Sequence, residues 1–120
     1  MTVTKFEDLR VWQKSRMLAF AVYRVTSRGP FARDFSLRDQ IRRAAVSIMS
    51  NIAEGFGRHS RADMRHFLAI ARGSAMEIRS QLYLAHDLAY ISDADHLELH
   101  DLCIEVSRML AAMRTSLAPA

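Results

Sequence analysis

The chain has 120 residues, half of them hydrophobic, with only four glycines, two prolines and one cysteine. This length fits one domain with a single core, and the composition favours a compact helical protein over a β or disordered one. The net charge of +4 is uneven, since residues 1–84 hold 15 basic and 7 acidic side chains and residues 85–120 hold 2 and 6. This asymmetry indicates either an anionic partner for the first part of the chain or the ordinary solubility charges of an arginine-rich protein.

The first helix is predicted over residues 7–27, with Thr4 and Asp8 both suitable as caps. It is expected to stop at Gly29-Pro30, because proline removes a backbone donor and disfavours helix at the residue before it. Residues 29–35 are expected to form a loop. Apolar residues recur at helical spacing on two sides of this helix: Val11, Leu18, Val22 and Val25, then Trp12, Ala19, Phe20 and Tyr23.

The second helix is predicted over residues 36–57, opened by Ser36 and ended where Gly55 and Gly57 weaken it. Asp39 lies in its first turn, where a negative charge interacts favourably with the helix dipole. The expected core stripe is Leu37, Ile41, Ala45, Ile48 and Ile52, extended by Val46, Met49 and Ala53.

The third helix is predicted over residues 61–90, with Ser60 as its cap and Asp63 at the capping-box distance. Its apolar sector is expected to cover more than half the circumference: Met64, Phe67, Ala71, Ala75, Ile78, Leu82 and Ala85, widened by Ile70, Leu84 and Leu88. The opposite side is expected to carry a basic line without acidic residues: Arg61, Arg65, Arg72, Arg79 and His86, with Tyr83 among them.

The fourth helix is predicted over residues 93–117, starting at Ser92 or Asp93. Its heptad-like stripe is Leu99, Leu102, Cys103, Val106, Met109, Leu110, Met113 and Leu117. Cys103 is the only cysteine, so no internal disulfide can form, and its place in the stripe favours a buried thiol over a nucleophile.

Four helices with short connections predict a single all-α domain over residues 1–120, an antiparallel up-down-up-down four-helix bundle. The apolar sectors are wider than one bundle requires. They indicate either a generous core or a second face buried against neighbouring subunits, and we favour self-association. The N-terminus carries no signal or anchor and the apolar run 17–23 is too short to span a bilayer, so the cytoplasm is expected.

Three segments carry a resemblance to a known family: FEDLRVWQKS (6–15), SNIAEGFGR (50–58) and ARGSAMEIRSQL (71–82). They resemble the four-helix-bundle proteins encoded in intervening sequences of bacterial large-subunit ribosomal RNA genes, a fold group that includes accessory variability proteins of diversity-generating retroelements. The resemblance covers about residues 6–117 and implies a ring-like homopentamer without established enzymatic activity. For the retroelement relatives it implies binding of nucleic acid and of a reverse transcriptase through basic surfaces. The matching residues are Asn51, Glu54, Gly55 and Arg58, then Arg72, Gly73, Ser74 and Glu77.

Several of these matching residues are polar and share helix faces: Asn51, Glu54 and Arg58 on the second helix, Ser74 and Glu77 on the third. The two carboxylates can be interpreted as an acid/base pair or as part of a hydrogen-bonded network that fixes helix register or a subunit contact. We favour the network, because no nucleophile, phosphate-binding loop or convergent histidine accompanies them. Gly73 costs its helix about 1 kcal/mol relative to alanine, and close approach of a neighbouring helix is the expected compensation.

His96 and His100 are four residues apart, a spacing that can ligate a metal. The segment lacks the HExxH pattern and spacing fixes no third ligand, so a solvated helix face is favoured. We therefore expect no metal site and no cofactor.

The basic line is the best functional candidate, because arginine pairs with phosphate through two hydrogen bonds and tyrosine stacks on exposed bases. We expect a non-enzymatic oligomer that binds RNA or DNA through Arg61, Arg65, Arg72, Arg79, Tyr83 and His86. The alternative is a protein-interaction scaffold, or an accessory subunit of a partner such as a reverse transcriptase, without direct nucleic-acid binding.

Overall fold

The structure is a computed structural model that describes residues 2–119. Within that range the chain is helical, without strands, and four of its five helices are long. A short 3-10 turn, Phe6–Asp8, precedes the helices α1 (Arg10–Thr26), α2 (Gly29–Arg33), α3 (Phe35–Gly57), α4 (Arg61–Asp87) and α5 (Asp93–Ser116).

The four long helices pack side by side as an elongated bundle of 47 × 22 × 20 Å. Helix α3 packs against α4, and α4 packs against α5, while α1 contacts both α3 and α5. Helix α1 therefore lies diagonally across the bundle from α4. Each long helix touches two neighbours, so the core can bury only part of its circumference.

Most of the expected core positions are buried. The α3 stripe Leu37, Ile41, Ala45, Ile48 and Ile52 is confirmed, with exposed fractions of 0 to 7%. The prediction for α4 was too wide: Ile70, Leu84 and Leu88 are 41 to 50% exposed, while the fully buried Leu68 was missed. The reason is that α4 faces only α3 and α5, so its buried residues fill a narrower sector than the sequence pattern suggests.

A generous core does not account for the remaining apolar surface. Phe20, Tyr23 and Val46, which the sequence pattern assigned to apolar faces, remain 42 to 71% exposed. A single chain therefore leaves apolar side chains uncovered at several places on its surface.

The connection between α1 and α3 is more ordered than expected. Gly29 adopts a φ of 54° and leads into the one-turn helix α2, where Pro30 occupies the first turn, in which its missing N–H costs nothing. The prediction of a loop over 29–35 was wrong for Gly29–Arg33. Phe31, carried by α2, is fully buried.

Helix caps agree with the predictions at some ends only. The Ser60 hydroxyl accepts from the Asp63 N–H at 3.2 Å, which confirms that cap, and the Ser92 hydroxyl accepts from the Asp95 N–H at 3.1 Å. Helix α3 is capped by Asp34 and not by Ser36, since the Asp34 carboxylate accepts from the Leu37 N–H at 3.1 Å.

The N-terminal end of α1 and the C-terminal end of α4 also differ from their expected positions. Leu9, without a side-chain cap, precedes α1, so Thr4 and Asp8 do not cap that helix as expected. Helix α4 ends at Asp87 because Ala89 takes a left-handed φ of 59°, which turns the chain toward α5.

The close approach expected at Gly73 occurs instead at Gly55. A Cβ on Gly55 would lie 2.9 Å from both Met64 Sδ and Phe67 Cβ, because α4 crosses α3 there. A Cβ on Gly73 would meet nothing within 4 Å in the described part of the chain. Gly73 lies on the outward side of α4, away from both neighbours.

Within residues 2–119, every helix falls short of the combination of length and hydropathy that crossing a membrane requires.

Candidate nucleic-acid interface

The basic line of α4 follows the contact between α4 and α5. Arg65 faces Arg114, Tyr83 faces His96 and His86 faces Asp93, as antiparallel helices in a fixed register require. The sequence pattern suggested that the line lies opposite the core. In the structure it lies beside the core, along the contact with α5. We call this surface the α4–α5 seam: Arg61, Arg65, Arg72, Arg79, Tyr83 and His86 on α4, with His96, His100 and Arg114 on α5.

One end of the seam holds arginines bound to main-chain oxygens. Arg65 Nε donates to the Arg114 carbonyl at 3.3 Å, and Arg114 Nε donates to the Arg65 carbonyl at 3.2 Å. Arg61 Nη2 donates to the Ser116 carbonyl at 3.4 Å. The Arg114 and Ser116 carbonyls belong to the last turn of α5, where the helix dipole favours cations. These arginines stabilise the end of α5, and among residues 2–119 no carboxylate pairs with them.

The middle of the seam holds Arg72, which is exposed, and Arg79, which is half-buried. Neither guanidinium has a hydrogen bond or an ion pair to the residues that the structure describes. The nearby Cys103 is fully buried, as expected, and its burial raises the pKa of the thiol to about 12, an effect that the Arg79 charge opposes. The thiol is therefore neutral at pH 7, which fits a core residue.

The acidic side chains of α5 face mainly toward α1. Glu105 pairs with Lys14 at 3.2 Å, Glu98 with Arg24 at 3.1 Å and Asp95 with Arg28 at 3.3 Å. These exposed pairs contribute little to stability, but they direct three of the five acidic side chains of α5 away from α4. The other two, Asp93 and Asp101, pair with His86 and His100 of the seam, so none of the five pairs with a seam arginine.

The other end of the seam is a cleft of aromatic and imidazole rings. The His96 ring lies 4.8 Å from the His86 ring and 5.1 Å from the Tyr83 ring, measured between centroids, and His100 lies 6.4 Å from both Tyr83 and His96. Burial, reinforced by the charges of His86 and His100, lowers the pKa of His96. In the described range 2–119, no group of three or more His, Cys, Asp or Glu side chains is arranged to hold a metal ion.

The predicted polar network separates into three parts. Asn51 Nδ2 donates to the Ser47 carbonyl at 2.8 Å and to the Ser47 hydroxyl at 2.9 Å, and the Ser74 hydroxyl donates to Ser47 Oγ at 3.0 Å. This chain links α3 to α4 and defines what we call the α3–α4 seam. Glu54 and Arg58 form a separate exposed ion pair at 2.9 Å.

Glu77 lies apart from that ion pair, beside a polar pocket that Arg43 and Ser74 also line. Opposite Glu77, α3 presents residues about ten positions before Glu54, which places the two carboxylates about 15 Å apart along the bundle axis. The two carboxylates therefore do not converge as an acid/base pair.

Comparison with known proteins identifies the family. Residues 7–112 match the 23S rRNA-intervening sequence protein family. This chain belongs to that family. No curated protein matches the chain.

A solved relative shows the same fold. The chain is similar to a protein of unknown function from the S23 ribosomal protein family of Bacteroides thetaiotaomicron, whose crystal structure was determined at 1.70 Å resolution. The two are 26% identical and superpose with a TM-score of 0.80 over 88% of this chain and 95% of the other. The two proteins therefore share one fold, and the relative is itself a protein of unknown function.

Two seam residues of this family member were not among the site residues predicted from the sequence. Ser47 joins Asn51 to Ser74, and Arg114 pairs with Arg65 across 49 positions of the chain. The available signal for Ser47 was its position one turn before Asn51 on the same face. Arg114 has no comparable local signal, because its partner is set by the register between α4 and α5.

Proposed function

We propose that this protein is a non-enzymatic, oligomeric helical bundle of the cytoplasm that binds nucleic acid, RNA or DNA, through the α4–α5 seam. The observation that supports this most is the Arg65–Arg114 pair. Each guanidinium is held by a hydrogen bond to the main-chain carbonyl of the other arginine, so two like charges face each other across the contact between α4 and α5 and repel each other. A phosphate that accepts from both would remove that repulsion, with the two-pronged geometry that arginine favours.

The arginines in the middle of the seam extend the same surface. Arg72 and Arg79 continue from Arg65 along one side of α4, over about 21 Å at 1.5 Å per residue. Along the axis of a B-form duplex one strand places a phosphate about every 3.4 Å, so this length spans about six phosphates of a duplex strand and fewer of a more extended single strand. The spacing fits a strand that runs along the seam better than a single small anion.

Self-association would repeat this surface. Phe20 and Phe35 are 64 to 71% exposed, and Gly73 leaves open space on the outward side of α4. Such surface supports burial against further copies of the chain. We propose the ring-like homopentamer that the family resemblance implies, in which seams repeated around the axis bind one polynucleotide more tightly than a single seam.

The test compares two double variants of equal charge. Arg72→Gln with Arg79→Gln removes two seam charges, while the control Arg24→Gln with Arg28→Gln removes two charges from the α1 side. By fluorescence anisotropy, the seam variant is expected to lose about tenfold or more in affinity for a labelled RNA strand. Its log–log salt slope should fall in magnitude by about 1.4, that is, by about 0.7 for each lost phosphate contact.

The control variant should bind as the wild type does, and both variants should keep the wild-type mass by light scattering. Equal losses in the two variants would show that net charge alone drives binding. Absence of salt-dependent binding by the wild-type protein would refute the proposal.

The second candidate is a scaffold or accessory subunit, for example for a reverse transcriptase, without direct nucleic-acid binding. A groove of about 550 Å³ between α1 and α5 favours it, because Met17, Phe20 and Leu102 give the groove an apolar surface between charged side chains. This candidate predicts no polynucleotide affinity together with stoichiometric binding of one protein partner, which is lost when Phe20 is replaced by Asp.

A further inference from the structure

The ring cleft is the cavity at the α5 N-terminal end of the α4–α5 seam, with a volume of about 340 Å³. Its lining consists of flat rings, one carboxylate and one aliphatic side chain: Tyr83, His86, Asp93, His96, Leu97 and His100. Tyr83 is 52% exposed and Leu97 is 63% exposed, so the cleft opens to solvent at the outer edge of the seam. The bundle does not need these two side chains for its core.

The rings are arranged to leave polar and π surfaces available. Tyr83 meets His96 nearly edge-on, with 85° between the ring planes, and with 52% of its surface exposed it keeps part of its ring open to solvent. The His96 Nε2 atom is buried and has no hydrogen-bond partner among residues 2–119. A buried nitrogen without a partner is costly, and a ligand that moves the rings apart far enough to reach it would recover that cost with a hydrogen bond.

We propose that the ring cleft holds one unstacked nucleobase, so that the ligand of the seam is a single-stranded segment and not a continuous duplex. This inference rests on the proposed nucleic-acid binding and specifies its substrate class. In a duplex the bases are stacked within the helix, whereas bases of loops, bulges and ends can be splayed out onto aromatic side chains. Tyr83 provides the stacking surface, and His96 provides a hydrogen bond to the edge of the base once the rings of the cleft move apart around it.

The position of the cleft agrees with this assignment. Arg79 lies one helical turn before Tyr83 on the same side of α4, so a strand whose phosphates follow the arginines reaches the cleft without changing direction. Asp93 pairs with His86 at the α5 end of the cleft, which keeps a carboxylate beside the base and away from the phosphates. The lowered pKa of His96 supports a neutral ring at pH 7, whose unprotonated nitrogen can accept a hydrogen bond from a base amino group.

A metal site is the alternative function for the histidines of the ring cleft. His86 is engaged by Asp93, and the side chains of the described range are not arranged around a common point as metal ligands. An opened ring cleft beside a line of arginines is better suited to a planar ligand that carries a phosphate.

The experiment measures binding of three labelled RNA probes of one length: a single strand, the same strand in a duplex, and a strand with abasic sites at every position. The variant is Tyr83→Leu, which keeps an apolar side chain without a ring, and the matched control is Tyr83→Phe, which keeps the ring. Tyr83→Leu is expected to weaken single-strand binding about tenfold, while Tyr83→Phe binds as the wild type does. The salt slope should stay at the wild-type value in both, because neither change removes a phosphate contact.

The outcomes separate this inference from the function on which it rests. Loss of affinity in the variant lacking Arg72 and Arg79, with no effect of Tyr83→Leu, would keep the proposed function and overturn the cleft. Equal binding of the abasic and intact strands, or duplex binding as tight as single-strand binding, would also overturn it. One equivalent of Zn²⁺ retained by the wild type after dialysis, and lost in His96→Ala, would assign the cleft to a metal instead. No binding of any probe would refute both proposals.

Discussion

The two flanks of α4 differ in the way they join their neighbours. On the α3–α4 seam the contacts are small and neutral: Gly55 allows close approach, and Ser47 and Ser74 share a hydrogen bond within the packed region. On the α4–α5 seam the side chains are long and cationic, and the acceptors of Arg61 and Arg65 are carbonyls and not carboxylates. One helix therefore carries a neutral hydroxyl contact on one side and arginines without a carboxylate partner among residues 2–119 on the other.

This difference separates the requirements of folding from those of binding. A neutral hydrogen bond between two hydroxyls fixes helix register without the desolvation cost of a buried ion pair. Uncompensated arginines add repulsion, and the stability of the bundle does not require that Arg72 and Arg79 remain without partners. The α3–α4 seam is thus best explained as structure, whereas the α4–α5 seam is the surface to which we assign the proposed binding of nucleic acid.

The largest expected effect concerns two glycines, Gly55 at the α3–α4 contact and Gly73 on the outward side of α4. Gly55→Leu should destabilise the protein by about 3 kcal/mol or more, because its side chain must displace Phe67 Cβ, which is fixed to the α4 backbone. The control Gly73→Leu makes the same chemical change where a Cβ meets nothing within 4 Å, and should stabilise an isolated chain by about 0.5 to 1 kcal/mol through helix propensity. Urea denaturation of both variants measures the difference.

Equal destabilisation by the two substitutions would show that α4 does not approach α3 at Gly55. If Gly73→Leu instead lowers the oligomer mass in light scattering, the open space at Gly73 is occupied by another copy of the chain.

A smaller effect is expected for the hydroxyl pair. Ser74→Ala should cost about 1 kcal/mol, because the Ser47 hydroxyl loses its partner across the seam. The double variant Ser47→Ala with Ser74→Ala should cost less than the sum of the single changes, since neither hydroxyl is then left alone. A double-mutant cycle by thermal or urea unfolding gives the coupling, expected at about 1 kcal/mol. Additive costs would mean that the two hydroxyls do not interact.

The sequence predicted well what depends on local spacing. The Ile41–Ile48–Ile52 stripe of α3 recurs at helical intervals, so its burial follows from periodicity alone. Contacts that depend on the register between packed helices could not be predicted from the sequence. Two glycines in helices look alike in the chain, yet only Gly55 lies where another helix crosses.

The seams illustrate the same limit. The basic line was identified as a line, but its position beside α5 follows from packing, as does the pairing of Arg65 with Arg114 over 49 positions. The loop over 29–35 was mispredicted because proline was taken as a helix stop, whereas Pro30 begins a new turn.

The smallest expected effect is a pH dependence that originates in the ring cleft. His96 faces His86, His100 and Asp93, with Asp87 nearby, and burial together with the two histidines lowers its pKa below the ordinary value of 6.5. Because the unfolded chain then binds the proton more readily than the folded one, the free energy of unfolding is unaffected by His96 above pH 6.5 and decreases as the pH falls through that value.

His96→Gln should therefore show a smaller loss of unfolding free energy than the wild type between about pH 7.5 and pH 5.5. His66→Gln, which changes an exposed histidine outside the cleft, is the control and should follow the wild-type profile. If His96→Gln and the wild type lose stability in parallel, the cleft does not disfavour the charged imidazole, and the neutral ring needed to accept a base amino group is not maintained there.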